Sequence, residues 1–263
     1  PQLDNGFIAQ QRNQDSPSEL ISHENNINRQ QDFYQNGWTQ VNNVGVSGNY
    51  DKANFRVSLG NYLNKGIMPN VDLIKNNIGI NGTMNLTDDL EVSVMTSLNE
   101  SSSDNRPNTD DSFLTPTRAI LTIGSQVDMA PYINPETWWM PNKEGVEQRR
   151  WKERWNNPYL MQELATTSFD RIQAITEIQV SWEFVKDLRF SAKYMRSQLN
   201  QKAENQRPWD TNSSPNGNYD IQYSSFREQN WEGLFSYNKT WTDFSLLANV
   251  GGNLRTNYQD NIF

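Results

Sequence analysis

The sequence has no cysteine, which excludes a disulfide framework and any thiolate metal site. Histidine occurs once, as His23 in a polar stretch, where a surface role outweighs a catalytic one. No Gly-rich phosphate loop, nucleophile elbow or His-based metal motif is present, and no carboxylate pair stands out for glycoside hydrolysis. The chain therefore reads as a non-enzyme. A net charge of −8 argues against a nucleic-acid partner, which would call for basic patches. Hydrophobic residues make up only 35%, low for a large conventional core. No apolar run approaches the roughly 18–20 residues of a spanning helix; strands of a membrane barrel need only about 9–11 residues each, so a barrel stays open.

Aromatic residues are what the sequence has in quantity: 11%, with nine Trp, ten Tyr and eleven Phe, which excludes wholesale disorder. Alternation is its other signature. Val44, Val46, Gly48 and Tyr50 alternate with Asn43, Gly45, Ser47 and Asn49, and after a short turn Phe55, Val57 and Leu59 alternate with Arg56, Ser58 and Gly60. Successive side chains of a strand point to opposite faces, so this is a hairpin with one oily and one wet face. Three more such hairpins follow. Ile78, Ile80, Met84 and Leu86 lead into Leu90, Val92, Val94 and Leu98; Ile172, Ala174, Ile178, Val180 and Trp182 lead into Leu188, Phe190, Ala192 and Tyr194; Trp231, Phe235 and Tyr237 lead into Phe244, Leu246, Ala248, Val250 and Leu254. About eight strands result.

Short and long connections alternate. Tight turns close each hairpin, whereas 64–72, 101–168 and 200–222 are long, and 1–40 forms another long segment. This places every tight turn at one end, as in an outer-membrane barrel with short periplasmic turns and long extracellular loops. Tyr50, Phe55, Trp182, Phe184, Phe190, Tyr237, Trp241 and Phe244 all lie beside the short turns, where an interfacial aromatic girdle would sit. The expected architecture is all-β: an antiparallel transmembrane barrel segment, its oily face to outer-membrane lipid and its wet face to a lumen. A soluble β-sandwich would show the same alternation, with the oily face as its core. The rhythm of connections and a loop as long as 101–168 favour the barrel.

Within 101–168, Thr115 and Pro116 suit the start of a helix, with Ala119, Ile120 and Ile123 at helical spacing. A second short helix is expected over 145–155, placing Trp151 and Trp155 one turn apart. With Tyr132, Trp138, Trp139 and Trp209, these rings gather on the loop side as candidate contacts for a ligand or a lid protein. The competing reading, that they form the loop's own small core, is favoured for helix-spaced aromatics. Segments 103–112 and 210–220 carry oxygen ligands of the kind calcium takes, but neither keeps the EF-hand register, and solvated loops are the preferred reading; no cofactor is expected.

The stretch "FYQNGWTQVNNVGVSGNYDKANFRVSLGNYLNKGIMPN" resembles the start of the barrel in SusC/RagA-like TonB-dependent transporters of Bacteroidetes. "PTRAILTIGSQVDM" (116–129), "NNPYL" (156–160) and the upstream "PQLDNG" (1–6) are similar to later and earlier pieces of that family, in the same order. The resemblance implies a barrel of about 22 strands around an N-terminal plug, a plugged lumen being typical of barrels of that size. It implies import of oligosaccharides or peptides, powered through the TonB complex, under a SusD-like surface lipoprotein acting as a lid. No signal sequence, TonB box or plug is recognisable, so the chain reads as strands two to about nine, with 1–40 an extracellular loop and 41–263 a partial wall. The alternative from another class is a soluble secreted β-rich carbohydrate-binding module using the same tryptophans.

Overall fold

The computed structural model describes residues 8–10, 20–22, 29–106, 114–124, 127–150, 155–212 and 214–262. His23, Trp151 and the stretch 1–6 lie outside these. A two-stranded ribbon, β1 (Ile8–Gln10) with β2 (Leu20–Ser22), and a short helix α1 (Arg29–Phe33) precede the main sheet. That sheet has eight strands: β3 (Trp38–Tyr50), β4 (Ala53–Lys65), β5 (Asp72–Asn85), β6 (Leu90–Ser103), β7 (Thr167–Val185), β8 (Leu188–Arg207), β9 (Asn218–Thr240) and β10 (Ser245–Ile262). Each is antiparallel to its neighbour in sequence, and β3 and β10 form the two edges.

Register confirms the two faces. Across strands, Val46 pairs with Val57, Val57 with Ile80, Gly82 with Val94, Val94 with Ile178, and Phe190 with Phe235, so the apolar residues form one continuous surface. No second sheet or helix covers that surface among the described residues: Val44 is 64% exposed and Val250 75%. The tight turns span 51–52, 86–89, 186–187 and 241–244; Asp51 and Asp187 enter theirs at positive φ (43° and 68°), tolerated by a short side chain that can bond to nearby backbone. Beside these turns Trp241 stacks on Phe244 at 4.5 Å, and Phe184 meets Phe235 edge-on at 6.4 Å.

At the other end, connections 66–71, 104–166 and 208–217 are longer. The last of these corrects the expected loop over 200–222. β8 and β9 continue well past their oily stretch, because the backbone ladder needs no apolar alternation. Polar pairs replace it: Ser225 Oγ donates to Asn200 Oδ1 at 2.9 Å, and Tyr219 Oη donates to Glu204 Oε2 at 2.7 Å. Segment 104–166 folds into α2 (Pro116–Thr122), α3 (Ala130–Ile133), a 3-10 turn (Pro135–Thr137) and α4 (Pro158–Leu164). Thr115 precedes α2 as expected, though its side chain makes no capping bond.

The helix expected over 145–155 does not form across its described part. Residues 138–149 instead make a small hairpin, with Met140 N donating to Glu147 O and Arg149 N to Trp138 O. Asn142 and Gly145 sit at positive φ (62° and 75°), a conformation that ends a right-handed helix.

Candidate functional site

The connections at the long-loop end weld into one cap around two small apolar cores. Phe33, Ile120, Ile123, Val127, Met129 and Tyr132 form the first, with Met68 and Tyr159 packed against it. Trp138, Leu160 and Met161 form the second, flanked by Trp139 and again Tyr159. Phe33 meets Tyr159 edge-on at 5.2 Å, which ties α1 to α4. The sequence places the elements for this. Asn157 caps α4 through its side-chain oxygen, which accepts from Tyr159 N and Leu160 N, and Pro158 occupies the first turn where no N–H is needed. Leu160 and Met161 then face inward.

Polar groups complete the weld. Buried Gln148 donates from its backbone N–H to Asp210 Oδ2 (2.9 Å) and from Nε2 to Asp210 O (2.7 Å), while its Oε1 accepts from Asn157 N (2.8 Å). Arg150 completes the clamp with an ion pair to Asp210 Oδ1 at 3.0 Å. Loop 104–166 is thereby fastened to loop 208–217, and Gln162 Nε2 donates to Pro69 O (2.7 Å), fastening it to loop 66–71. Burial pushes the Tyr159 phenol up to about 12, helped by the Asp32 carboxylate, and lowers the Arg149 guanidinium from its ordinary value.

The six candidate aromatics divide. Tyr132, Trp138 and Trp155 are buried within the cap, Tyr132 and Trp138 in its two apolar cores, and Arg118 lies 5.4 Å from the centroid of the Trp155 ring. Trp139 is half-buried and Trp209 is 52% exposed. Trp151 lies outside the described residues. As for calcium, Asp210 is engaged by Gln148 and Arg150, and Asp220 accepts from Asn205 and Asn218, both at 2.8 Å.

Below the cap, the polar face carries a cleft of about 750 Å³ that the sequence alone did not single out. One row of laterally paired residues crosses it: Val41, Tyr62, Lys75, Ser101 and Arg171, with Gln201 next in the ladder beyond it. The next row down is Asn43, Gly60, Asn77, Asn99 and Gln173. Lys75 and Arg171 stand in phase with the wet residues of their strands, a visible signal, but only strand register brings them into one row. The cleft offers cations, amides and rings: a surface for recognition.

No family model and no curated protein sequence matches the chain. Solved structures do. The RagAB peptide transporter superposes with a TM-score of 0.64 at 14% identity, covering 86% of this chain and 26% of that one. The RagAB peptide importer in its open-open state gives 0.66 at 12% identity, over 90% of this chain and 26% of that one. The ferric-catecholate import receptor Fiu of E. coli K12 gives 0.52 at 7% identity, over 85% and 33%. In fold the chain resembles an outer-membrane TonB-dependent barrel. It spans between a quarter and a third of the length of these structures, and at such identities the likeness is one of fold. In barrels of that kind the apolar face of the wall is the outer surface and the polar face lines the lumen.

Proposed function

We propose that this chain forms part of the wall and extracellular mouth of a TonB-dependent outer-membrane importer. Its cargo is a peptide or oligosaccharide, its lid a SusD-like surface lipoprotein, and its energy comes through TonB. One observation carries the reading: among the described residues the eight-stranded sheet leaves its apolar face uncovered while its long connections gather in a cap at one end. In water such a face would far exceed the few hundred Å² of apolar patch a soluble monomer tolerates; in a bilayer it meets hydrocarbon. The same observation disfavours a soluble carbohydrate-binding module, which would need a second layer over that face. RagAB is a peptide transporter, and that likeness supports a bulky cargo.

The chain's residues would serve this role without chemistry. The cap's welded cores hold the mouth in shape, the polar face lines the path, and Trp209, exposed on loop 208–217, is the aromatic best placed to meet lid or cargo. Topology provides the test. Cysteines placed one at a time in turn 86–89 and in loop 208–217 of the protein that contains this chain, with any cysteine outside these 263 residues replaced by serine, are labelled on intact cells with an impermeant maleimide. Labelling at 208–217 with protection at 86–89 until the outer membrane is opened is the expected result. Equal labelling of both, or recovery of the protein in the soluble fraction, would sink the importer reading.

A further inference from the structure

We propose that the cleft beneath the cap is a carboxylate-binding site and gives the path a preference for anionic cargo. The word cargo rests on the importer reading, whereas the binding chemistry rests on the cleft itself. Lys75 and Arg171 lie in one row two strand spacings apart, about 10 Å. Lys75 Nζ sits 5.4 Å from the centroid of the Tyr62 ring. The guanidiniums of Arg106 and Arg171 lie 5.8 and 5.7 Å from the same Phe169 ring. Two guanidiniums gathered on one ring repel each other, so an anion placed between them is favoured.

None of these three cations forms an ion pair among the described residues. Arg171 donates from Nε and Nη2 to a neutral acceptor, Gln201 Oε1, at 2.9 and 2.6 Å. Elsewhere on the same face cations do have carboxylates: Arg189 with Glu183 at 3.6 Å, Lys193 with Glu232 at 3.8 Å, and Arg255 with Glu228. No acidic residue occurs in the cleft row or the row below it, in a protein of net charge −8. Asp72 and Glu100 border the cleft, but their register assigns them to the opposite face, and Asp72 Oδ1 accepts from Asp104 N at 3.0 Å.

A second observation points to a ligand. Ser103, in the same cleft, is 3% exposed, and its hydroxyl has no hydrogen-bond partner. A buried hydroxyl left unpaired is costly, and a bound acceptor would relieve it. Beneath the cations, Asn43, Asn77 and Asn99 present amides that both donate and accept, suited to the polar chain linking two acid groups. Gly60 lies between Asn43 and Asn77; a Cβ there would run into the Asn77 side chain and stand 2.9 Å from Asn43 Oδ1, so glycine leaves those amides room. A short chain bearing two carboxylates fits this arrangement, from an acidic peptide or a uronic-acid oligosaccharide.

The test uses the outer-membrane protein that contains this chain, purified in detergent, with fluorescein-labelled tetraglutamate, tetraglutamine and trigalacturonate as probes. The expected result is tighter binding of at least one anionic probe than of tetraglutamine, weakening as salt rises. Combining Lys75→Gln with Arg171→Gln should weaken the anionic probes by about tenfold or more, the scale of lost charge-assisted hydrogen bonds, and should weaken them by a larger factor than tetraglutamine. The charge-preserving Lys75→Arg should keep anion binding, and Arg106→Gln, outside the sheet, provides a second neutralisation that spares the wall. Which anionic probe binds more tightly identifies the source of the carboxylate. Equal binding of all three probes, or anion binding that survives both neutralisations in assembled protein, overturns the site. Uptake by cells with and without the protein is measured separately: equal uptake defeats the importer reading while leaving the binding result intact.

Discussion

The wall and the cap obey opposite rules with the same amino acids. In the wall, Val44 and Leu254 stand 64% and 66% exposed; in the cap, Ile120 and Leu160 are 1% and 0% exposed. The cap folds as water-soluble proteins do, burying its apolar side chains and hydrogen-bonding interior polar groups such as Gln148 and Asn157. The wall leaves its apolar side chains exposed; its ladder satisfies the backbone, and on the importer reading its oily face meets hydrocarbon. On the importer reading two solvents act on one chain, and substitutions of the same kind should have different consequences on the two sides of that boundary.

The largest effect is expected in the cap's interior. Phe33→Ala removes a fully buried ring that packs on Tyr34 and Tyr159, and should cost the cap about 3–5 kcal/mol. Loop 104–166 should become sensitive to protease at lower temperature, while the wall still assembles and keeps its heat-resistant migration. Loss of assembly instead would show that cap and wall fold as one cooperative unit, and the contrast would fail.

Next comes the lipid face. Val94→Arg, in the middle of the apolar surface, should cost about 2–4 kcal/mol of assembly in the membrane. Ser93→Arg, one residue away on the polar face between Thr83 and Gln179, should be mild. Urea titration of the two variants in bilayers measures the difference, and equal costs would mean that the two faces do not meet different solvents.

Much of the wall was readable in advance because period-2 alternation marks a sheet with one apolar and one polar face; β3 through β6 follow it nearly end to end. It failed where the apolar face ends. The upper parts of β8 and β9, around Asn200, Glu204 and Tyr219, are polar on both faces, so nothing in the pattern separates strand from loop there. α4 was legible in principle, since Asn157 and Pro158 are a cap and a first-turn proline. The hairpin over 138–149 was not, because Trp151 and Trp155 suggested a helical face while the positive φ angles of Asn142 and Gly145 decided otherwise. The cleft cations were least legible of all: Lys75 and Arg171 become neighbours only through the pairing of β5, β6 and β7.

A smaller effect should come from the clamp between loops. Asp210 accepts from Gln148 N and pairs with Arg150, whose side chain is only 11% exposed. Asp210→Ala should cost the cap about 1.5–3 kcal/mol, the range for hydrogen bonds to a charged group, with the lower end favoured because Asp210 is itself partly solvated. Hydrogen exchange should rise in both 138–150 and 208–217. A rise in only one of them would show that Asp210 does not couple the two loops.

The smallest effect, absent at neutral pH, concerns Tyr159. Its phenol lies where the two apolar cores meet, and burial together with the Asp32 charge raises it to about 12 from the ordinary value near 10. A group whose folded pKa is raised binds its proton more tightly in the folded state. Its contribution to cap stability is therefore complete below about 10 and is lost as pH rises from about 10 through about 12. Cap protection should be flat with pH from neutrality up to that window and fall within it, whereas Tyr159→Phe, which cannot ionise, should lose less protection across the same range. The wall offers the internal control, since its assembly does not pass through this phenol. A cap whose alkaline fall is identical in wild type and Tyr159→Phe would assign the transition to other groups and remove Tyr159 as the link between the two cores' stability and pH.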